Sequence, residues 1–331
     1  MININRLPIK ILPSSRRTLV RPFIPSSESQ VEHILFRIFS TPLDEKKRVL
    51  DGIYERIEVP LDTTQDIFLK NFDHIKHRIP SNLKMTDEKK RHIGAFFTQQ
   101  YALESTALFN PSIVPHPVQD KEGAIRFILS LRAIGEGHIS SITFMEGVID
   151  SDYNITLADN SPVIYEPDRT EHHYHKDLFL KKAYDLGILT SINMPLFDLL
   201  SEQFSFEDLT KAINITVRGN TMSNKEELEV SMNSIKSLAL SNFTLNFSTD
   251  NITERAIYPA SPSQSNGLED ARFVRFVRED NSVVYYATFT AYNGKSIMPE
   301  MLETKDFKEF RISTLSGRAV KNKGMALFPR K

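Results

Sequence analysis

The stretch Ser265-Asn266-Gly267-Leu268-Glu269-Asp270-Ala271-Arg272-Phe273-Val274-Arg275-Phe276 is followed by Val283-Val284-Tyr285-Tyr286-Ala287-Thr288-Phe289-Thr290-Ala291-Tyr292, and these two segments decide the fold. Asn266-Gly267 is a turn signal. Beyond it the residues alternate, with Phe273, Arg275 and Val277 on one face and Val274, Phe276 and Arg278 on the other. Glu279-Asp280-Asn281-Ser282 makes a polar hairpin loop before a strand rich in β-formers returns. The acidic pair Glu269-Asp270 therefore sits at the mouth of a strand, with Arg272 two residues beyond Asp270. Taken alone, Glu-Asp-x-Arg reads equally as a surface turn with an ion pair.

Strand grammar recurs upstream. After Phe109-Asn110-Pro111-Ser112-Ile113-Val114, the run Ile125 to Ala133 reads as a strand buried on both faces. Gly135-Glu136-Gly137-His138 turns the chain into a short strand from Ile139 to Phe144. Strand, tight turn, strand is the pattern of meanders, sandwiches and propellers. Arg255 to Pro259, Met298 to Asp306 and Phe310 to Ile312 continue it, and the apolar end around Leu327-Phe328-Pro329 reads like the middle of a sheet.

Two regions depart from this grammar. Residues 1–105 read as an extended arm (Ile9 to Phe23) and a helical block. In that block Ser27-Glu28-Ser29-Gln30 has the form of a capping box, and Thr41-Pro42 that of a cap with proline in the first turn. A third helix carries Ile67, Phe68, Phe72 and Ile75, and a fourth runs from Thr86 towards Tyr101. Residues 106–331 form the β unit, interrupted at about 151–254 by a helical insertion with helices near 177–186, 196–203, 206–213 and 225–240. The expected class is mainly β with helical additions.

Composition narrows the function. The 331 residues carry 41 Lys plus Arg against 42 Asp plus Glu, a formal net charge of −1, so a nucleic-acid partner held by a bulk basic field is not expected. The chain lacks cysteine, which excludes disulfides and thiolate metal sites. Neither a membrane-length apolar run nor a signal-peptide pattern occurs, so a cytoplasmic protein with no membrane partner is expected. His74, His77 and His92 read as solvated or core side chains, and Glu171-His172-His173-Tyr174-His175 lacks the i, i+4 spacing of a helical metal site, so no metal is expected. There is no Gly-rich phosphate loop and no nucleophile elbow.

Read together, four segments resemble glycoside hydrolase family 130, the β-mannoside phosphorylases and β-mannosidases. They are Phe109 to Ser112, Leu129 to Ala133 with Gly137 to Ile142, Asn266 to Phe273, and Asn322 to Pro329. Thr288-Phe289-Thr290-Ala291-Tyr292 matches a fifth family element. They occur in the family's order across about two-thirds of the chain. The helical block and the insertion resemble a longer subgroup of that family.

The resemblance implies a partial five-bladed β-propeller, and further blades beyond Lys331. It implies an enzyme acting on β-linked manno-oligosaccharides, most directly by inverting phosphorolysis to mannose 1-phosphate, with inverting hydrolysis as the alternative. An inactive propeller that binds glycan or joins an assembly, including a homo-oligomer, is the alternative of another class. Asp270 is the implied acid, passing its proton through a sugar hydroxyl. Asn110, Ser112, Arg132, Glu269, Arg272 and Tyr292 are the implied substrate-binding residues, and Lys321, Asn322 and Lys323 part of a phosphate site. Phosphate is then a co-substrate, and no cofactor is implied. Two departures stand out: Ala271 replaces the family's proline, and Gly324 the aspartate of its Asn-Lys-Asp. Glu269 would favour a protonated Asp270 by like-charge repulsion and Arg272 would oppose it, a balance that the sequence leaves open.

Overall fold

The computed structural model describes residues 7–25, 27–120, 122–219, 225–320 and 322–328. It begins with strand β1 (Thr18–Pro22) and the helices α1 (Glu28–Ser40), α2 (Leu43–Tyr54), α3 (Leu61–Ile75) and α4 (Asp87–Phe96). Then come β2 (Thr98–Ala102), β3 (Ala107–Pro115), β4 (Ile125–Ile134), β5 (Ser140–Ile149), β6 (Ile155–Leu157), β7 (Val163–Ile164), β8 (Asp168–Glu171) and β9 (Tyr174–His175). The insertion continues with α5 (Lys176–Asp185), α6 (Met194–Asp198), β10 (Gln203–Phe204), α7 (Phe206–Gly219), α8 (Lys225–Leu240) and β11 (Phe243–Asn246). The last strands are β12 (Ala256–Ile257), β13 (Gly267–Val277), β14 (Val283–Tyr292), β15 (Ile297–Thr304) and β16 (Glu309–Thr314).

The main sheet runs β3-β4-β5-β13-β14-β15-β16-β11-β8, with β6 and β12 also paired to β5. It is two antiparallel meanders rather than one continuous surface. Among the described residues, the ladder pairing between β3-β4-β5 and β13-β14-β15-β16 is the single parallel register Gly267↔Ser140. A Cβ at Gly267 would lie 2.3 Å from Ser140 Oγ, and its φ of +130 lies where side chains are strained, so only glycine allows the two strands this close. The described strands do not close into a barrel.

Aromatic burial holds the meanders together. Phe144 of β5 stands 6.0 Å from Phe273 of β13 and 5.6 Å from Phe310 of β16, with Phe307 in edge contact with Phe144 at 5.8 Å. Phe144, Phe307 and Phe310 are fully buried, and each contributes about 1.5–3 kcal/mol by the area it removes from water.

The insertion is less purely helical than its sequence suggests. Its α5–α8 enclose their own core around Phe179, Phe197, Phe204, Met232 and Ile235. But β11 pairs antiparallel with β16 and β8 with β11, so the insertion extends the second meander by two strands. These strands are four residues each, too short for their periodicity to separate them from the polar connections around them.

The N-terminal block also differs in detail. The arm's β1 pairs with β2 and β7, and the fourth helix stops at Phe96 because the chain becomes β2 at Thr98. Ser27 makes no capping bond to its helix, since its hydroxyl meets Ser29 Oγ at 2.8 Å, so the capping box does not form. Thr41 does not cap α2; its hydroxyl donates to Arg37 O at 2.7 Å and closes α1, leaving Pro42 as the cap position. Residues 322–328 form no strand, contrary to their apolar pattern. Met325 is held instead by its carbonyl, which accepts from Thr288 Oγ1 at 2.6 Å. No helix among the described residues is long and apolar enough to cross a membrane.

Candidate active site

Two β-bulges face one another where the meanders meet. In β3 the register with β4 shifts between Phe109 and Ser112, leaving Asn110 and Pro111 outside the ladder. In β13 the register with β14 shifts between Glu269 and Arg272, leaving Asp270 and Ala271 outside. Asn110 and Asp270 have φ of 53 and 57, the left-handed region that Asn and Asp tolerate better than other side chains. A bulge re-aims a side chain, and here both turn towards the same point. Asn110 Nδ2 donates to Asp270 Oδ1 across the seam.

Arg132, near the end of β4, joins them. Its guanidinium donates to Asp270 Oδ1 at 3.2 Å and to Glu269 Oε1 at 3.0 Å, and lies 5.1 Å over the Phe109 ring. One cation thus spans two neighbouring carboxylates and offsets their repulsion. The Arg132 Nε is buried and has no hydrogen-bond partner among the described residues. Lys323 reaches Glu269 Oε2 at 2.6 Å and lies 5.3 Å from the Tyr292 ring.

Burial grades outward. Side-chain exposure is 12% for Glu269, 18% for Arg132, 33% for Asp270 and 47% for Lys323. Glu269 is therefore the enclosed anion held by two cations, and Asp270 the carboxylate that meets solvent. Both donors to Asp270 address Oδ1. Its Oδ2 is left without a hydrogen-bond partner among the described residues.

The structure thus brings together Asn110, Arg132, Glu269 and Asp270, with Lys323 and Tyr292 at the rim. Two other sequence-derived residues serve the seam instead. Ser112 is buried, and its hydroxyl accepts from the Phe273 N–H at 2.9 Å, satisfying a backbone donor beside the bulge. Arg272 donates to the Pro111 carbonyl at 3.0 Å, so the guanidinium on Asp270 is that of Arg132. Asn322 is exposed and makes no hydrogen bond to the cluster among the described residues, and Lys321 lies outside them.

Phe109 was missed by the sequence reading. It was legible only as the residue before Asn110-Pro111, and its role depends on Arg132 arriving from the neighbouring strand. Outside this cluster, His172 Nε2 meets Thr244 Oγ1 at 2.8 Å and Tyr174 is packed in the insertion core, so this run is divided between two environments.

In comparisons with known proteins, no family model, no curated protein and no solved structure matches this chain.

Proposed function

We propose that this chain is a carbohydrate-active protein of the β-mannoside phosphorylase type, and that its two meanders are blades of a five-bladed propeller. The observation that supports this reading is a convergence. Residues chosen from four separate segments for their resemblance to one family, Asn110, Arg132, Glu269-Asp270 and Lys323, meet in one hydrogen-bonded cluster.

Asp270 is the proton donor in this reading. With Oδ1 occupied by Asn110 and Arg132, Oδ2 is the oxygen that would deliver the proton through a substrate hydroxyl to the bridging oxygen. A phosphate oxygen attacks the anomeric carbon from the opposite face, the glycosidic C–O bond breaks, and the leaving oxygen takes the proton. The configuration inverts, and the products are a sugar 1-phosphate and a shortened oligosaccharide. The half-buried amide of Asn110 suits sugar hydroxyls, Arg132 holds the two carboxylates in place, and Tyr292 and Lys323 form the rim on which phosphate would approach.

Glu269 does not serve as a water-activating base in this scheme, because both its oxygens are engaged by cations. The test is product analysis with β-1,2- and β-1,4-linked manno-oligosaccharides, with and without phosphate, beside Asp270→Asn. Mannose 1-phosphate formed only with phosphate and lost in the variant is the expected result. Free mannose released without phosphate would replace phosphorolysis by hydrolysis, and no product from folded protein would remove the enzyme reading.

A further inference from the structure

The seam that carries the Asn110–Asp270 pair has a second end. Five residues beyond Asn110 on β3, the Pro115 carbonyl accepts from Tyr285 Oη at 2.9 Å, closing the seam from β14 to β3. Beside that bond lies a cleft of about 420 Å³ lined by Arg275, Lys305, His116, Tyr285, Ile125 and Val283. That is the size of small-molecule sites, which run from about 300 to 1,000 Å³. Arg275 sits directly opposite Tyr285 in the β13–β14 ladder. At ~3.3 Å per residue, it stands roughly 16 Å from Asp270 along β13.

The chemistry of the lining is one-sided. Arg275 and Lys305 are both exposed, and among the described residues neither has a carboxylate within ion-pair distance. His116 also lines the cleft, with both ring nitrogens engaged, Nδ1 accepting from the Val118 N–H at 3.0 Å. The nearest acid to it, Glu146, is already shared, at 3.5 Å from His116 Nε2 and 3.3 Å from Arg126 Nη2. Glu146 does not line the cleft. Burial pushes the Tyr285 hydroxyl up, against the opposing pull of Arg275, so it stays a neutral donor. The remaining wall is apolar, supplied by Ile125 and Val283.

We propose that this cleft binds a small phosphate ester, its phosphate on Arg275 and Lys305 and its carbon skeleton against Ile125 and Val283. Two cations that line one concavity without a carboxylate partner among the described residues favour an oxyanion, Arg275 offering its remaining donors beside its hydrogen bond to the Tyr285 hydroxyl. The apolar side selects an ester over a bare ion. The site is separate from the Asp270 cluster and does not depend on the reaction assigned there.

The experiment is calorimetric titration of the full chain carrying Asp270→Asn, at low ionic strength, with glucose 6-phosphate, inorganic phosphate and glucose as probes. The ester is expected to bind at least tenfold more tightly than phosphate or glucose. Lys305→Glu and Arg275→Gln, both at exposed positions, should each weaken it about tenfold. Lys323→Ala should leave it unchanged. Absence of ester binding overturns the proposal. So does binding that survives both cleft substitutions, binding lost with Lys323→Ala, or inorganic phosphate binding as tightly as the ester.

Discussion

Asn110 and Asp270, 160 residues apart in the chain, share a hydrogen bond although each belongs to a different meander and each is excluded from its own ladder. Their left-handed backbones are what make the meeting possible, because a regular strand would send the two side chains to fixed faces of their sheets. Asn110→Gly keeps the backbone accessible and removes only the hydrogen bond, whereas Asn110→Ala also imposes the steric cost of that region. The alanine variant should therefore be less stable than the glycine variant by about 1 kcal/mol. Urea denaturation of the pair measures the difference, and equal stabilities would show that the bulge relaxes when the bond is gone.

Asp270→Asn tests chemistry separately from architecture. Asparagine accepts the same backbone conformation and still offers an oxygen to Arg132 and Asn110, so the melting temperature should change little. Turnover should fall by about 10²–10⁴-fold, the usual worth of a positioned general acid. A variant that melts like the parent and retains its rate would remove Asp270 from the proton-donor role.

Lys323 makes a different separation. Its side chain is 47% exposed and its ion pair with Glu269 is screened, so Lys323→Ala should cost no more than about 1 kcal/mol of stability. If the Lys323 rim receives phosphate, the variant should need several-fold more phosphate to reach half-maximal rate. Its dependence on oligosaccharide concentration should barely move. Initial-rate measurements over both substrates distinguish this from a general loss of fold.

What the sequence made legible follows a physical division. β13 and β14 were readable because a turn signal, alternating residues and a polar hairpin loop are all local. Helices such as α8, with bounds at Lys225 and Leu240, were readable because 16 residues carry several turns of apolar spacing. β7, β8 and β11 were not, since two to four residues carry too little period and their partners are remote in sequence. The site shows the same boundary. Residue types at Asn110, Arg132 and Glu269-Asp270 were visible, but not that Arg132 rather than Arg272 would hold Asp270, nor that Ser112 would spend its hydroxyl on a backbone N–H. Those assignments depend on how two bulges face each other, which no single segment encodes.

The arm and the sheet are joined by Arg17, which pairs with Glu104 and reaches the Thr253 and Ser161 carbonyls in a nearly solvent-free setting. Burial lowers the affinity of Arg17 for its proton and raises that of Glu104, each partly restored by the other. Removing one partner leaves the other charge buried, so Arg17→Met should destabilise by about 3–5 kcal/mol. Arg17→Met with Glu104→Gln should recover part of that loss. A double variant no better than the single would mean that the carbonyl contacts, and not the pair, hold the arm.

Glu300 gives the chain a pH-dependent stability that its overall composition does not suggest. It lies fully buried in β15, accepting from Ser263 Oγ at 2.7 Å and Gln264 Nε2 at 2.6 Å. Burial pushes its carboxyl up to about 7, against the pull of those two donors and of Lys182. Lys182, in α5, is pushed down to about 8 by burial and by Arg311, with Glu300 opposing. A carboxyl raised in the folded state holds its proton while the unfolded chain loses it, so stability is full below its ordinary value of 4.5 and is lost as pH rises through about 7. Lys182 acts with the opposite sign, its contribution being complete above 10.5 and lost as pH falls through about 8. Together they place a shallow minimum of stability near neutral pH, where a charged α5 lysine faces a carboxylate formed at a cost. Glu300→Gln should flatten the decline between pH 4.5 and 7, removing on the order of 3 kcal/mol of pH-dependent stability. Urea midpoints measured at pH 5 and pH 7 for parent and variant provide the comparison. A parent equally stable at both pH values would show that Glu300 ionises in place without penalty, with water or Lys182 meeting its charge.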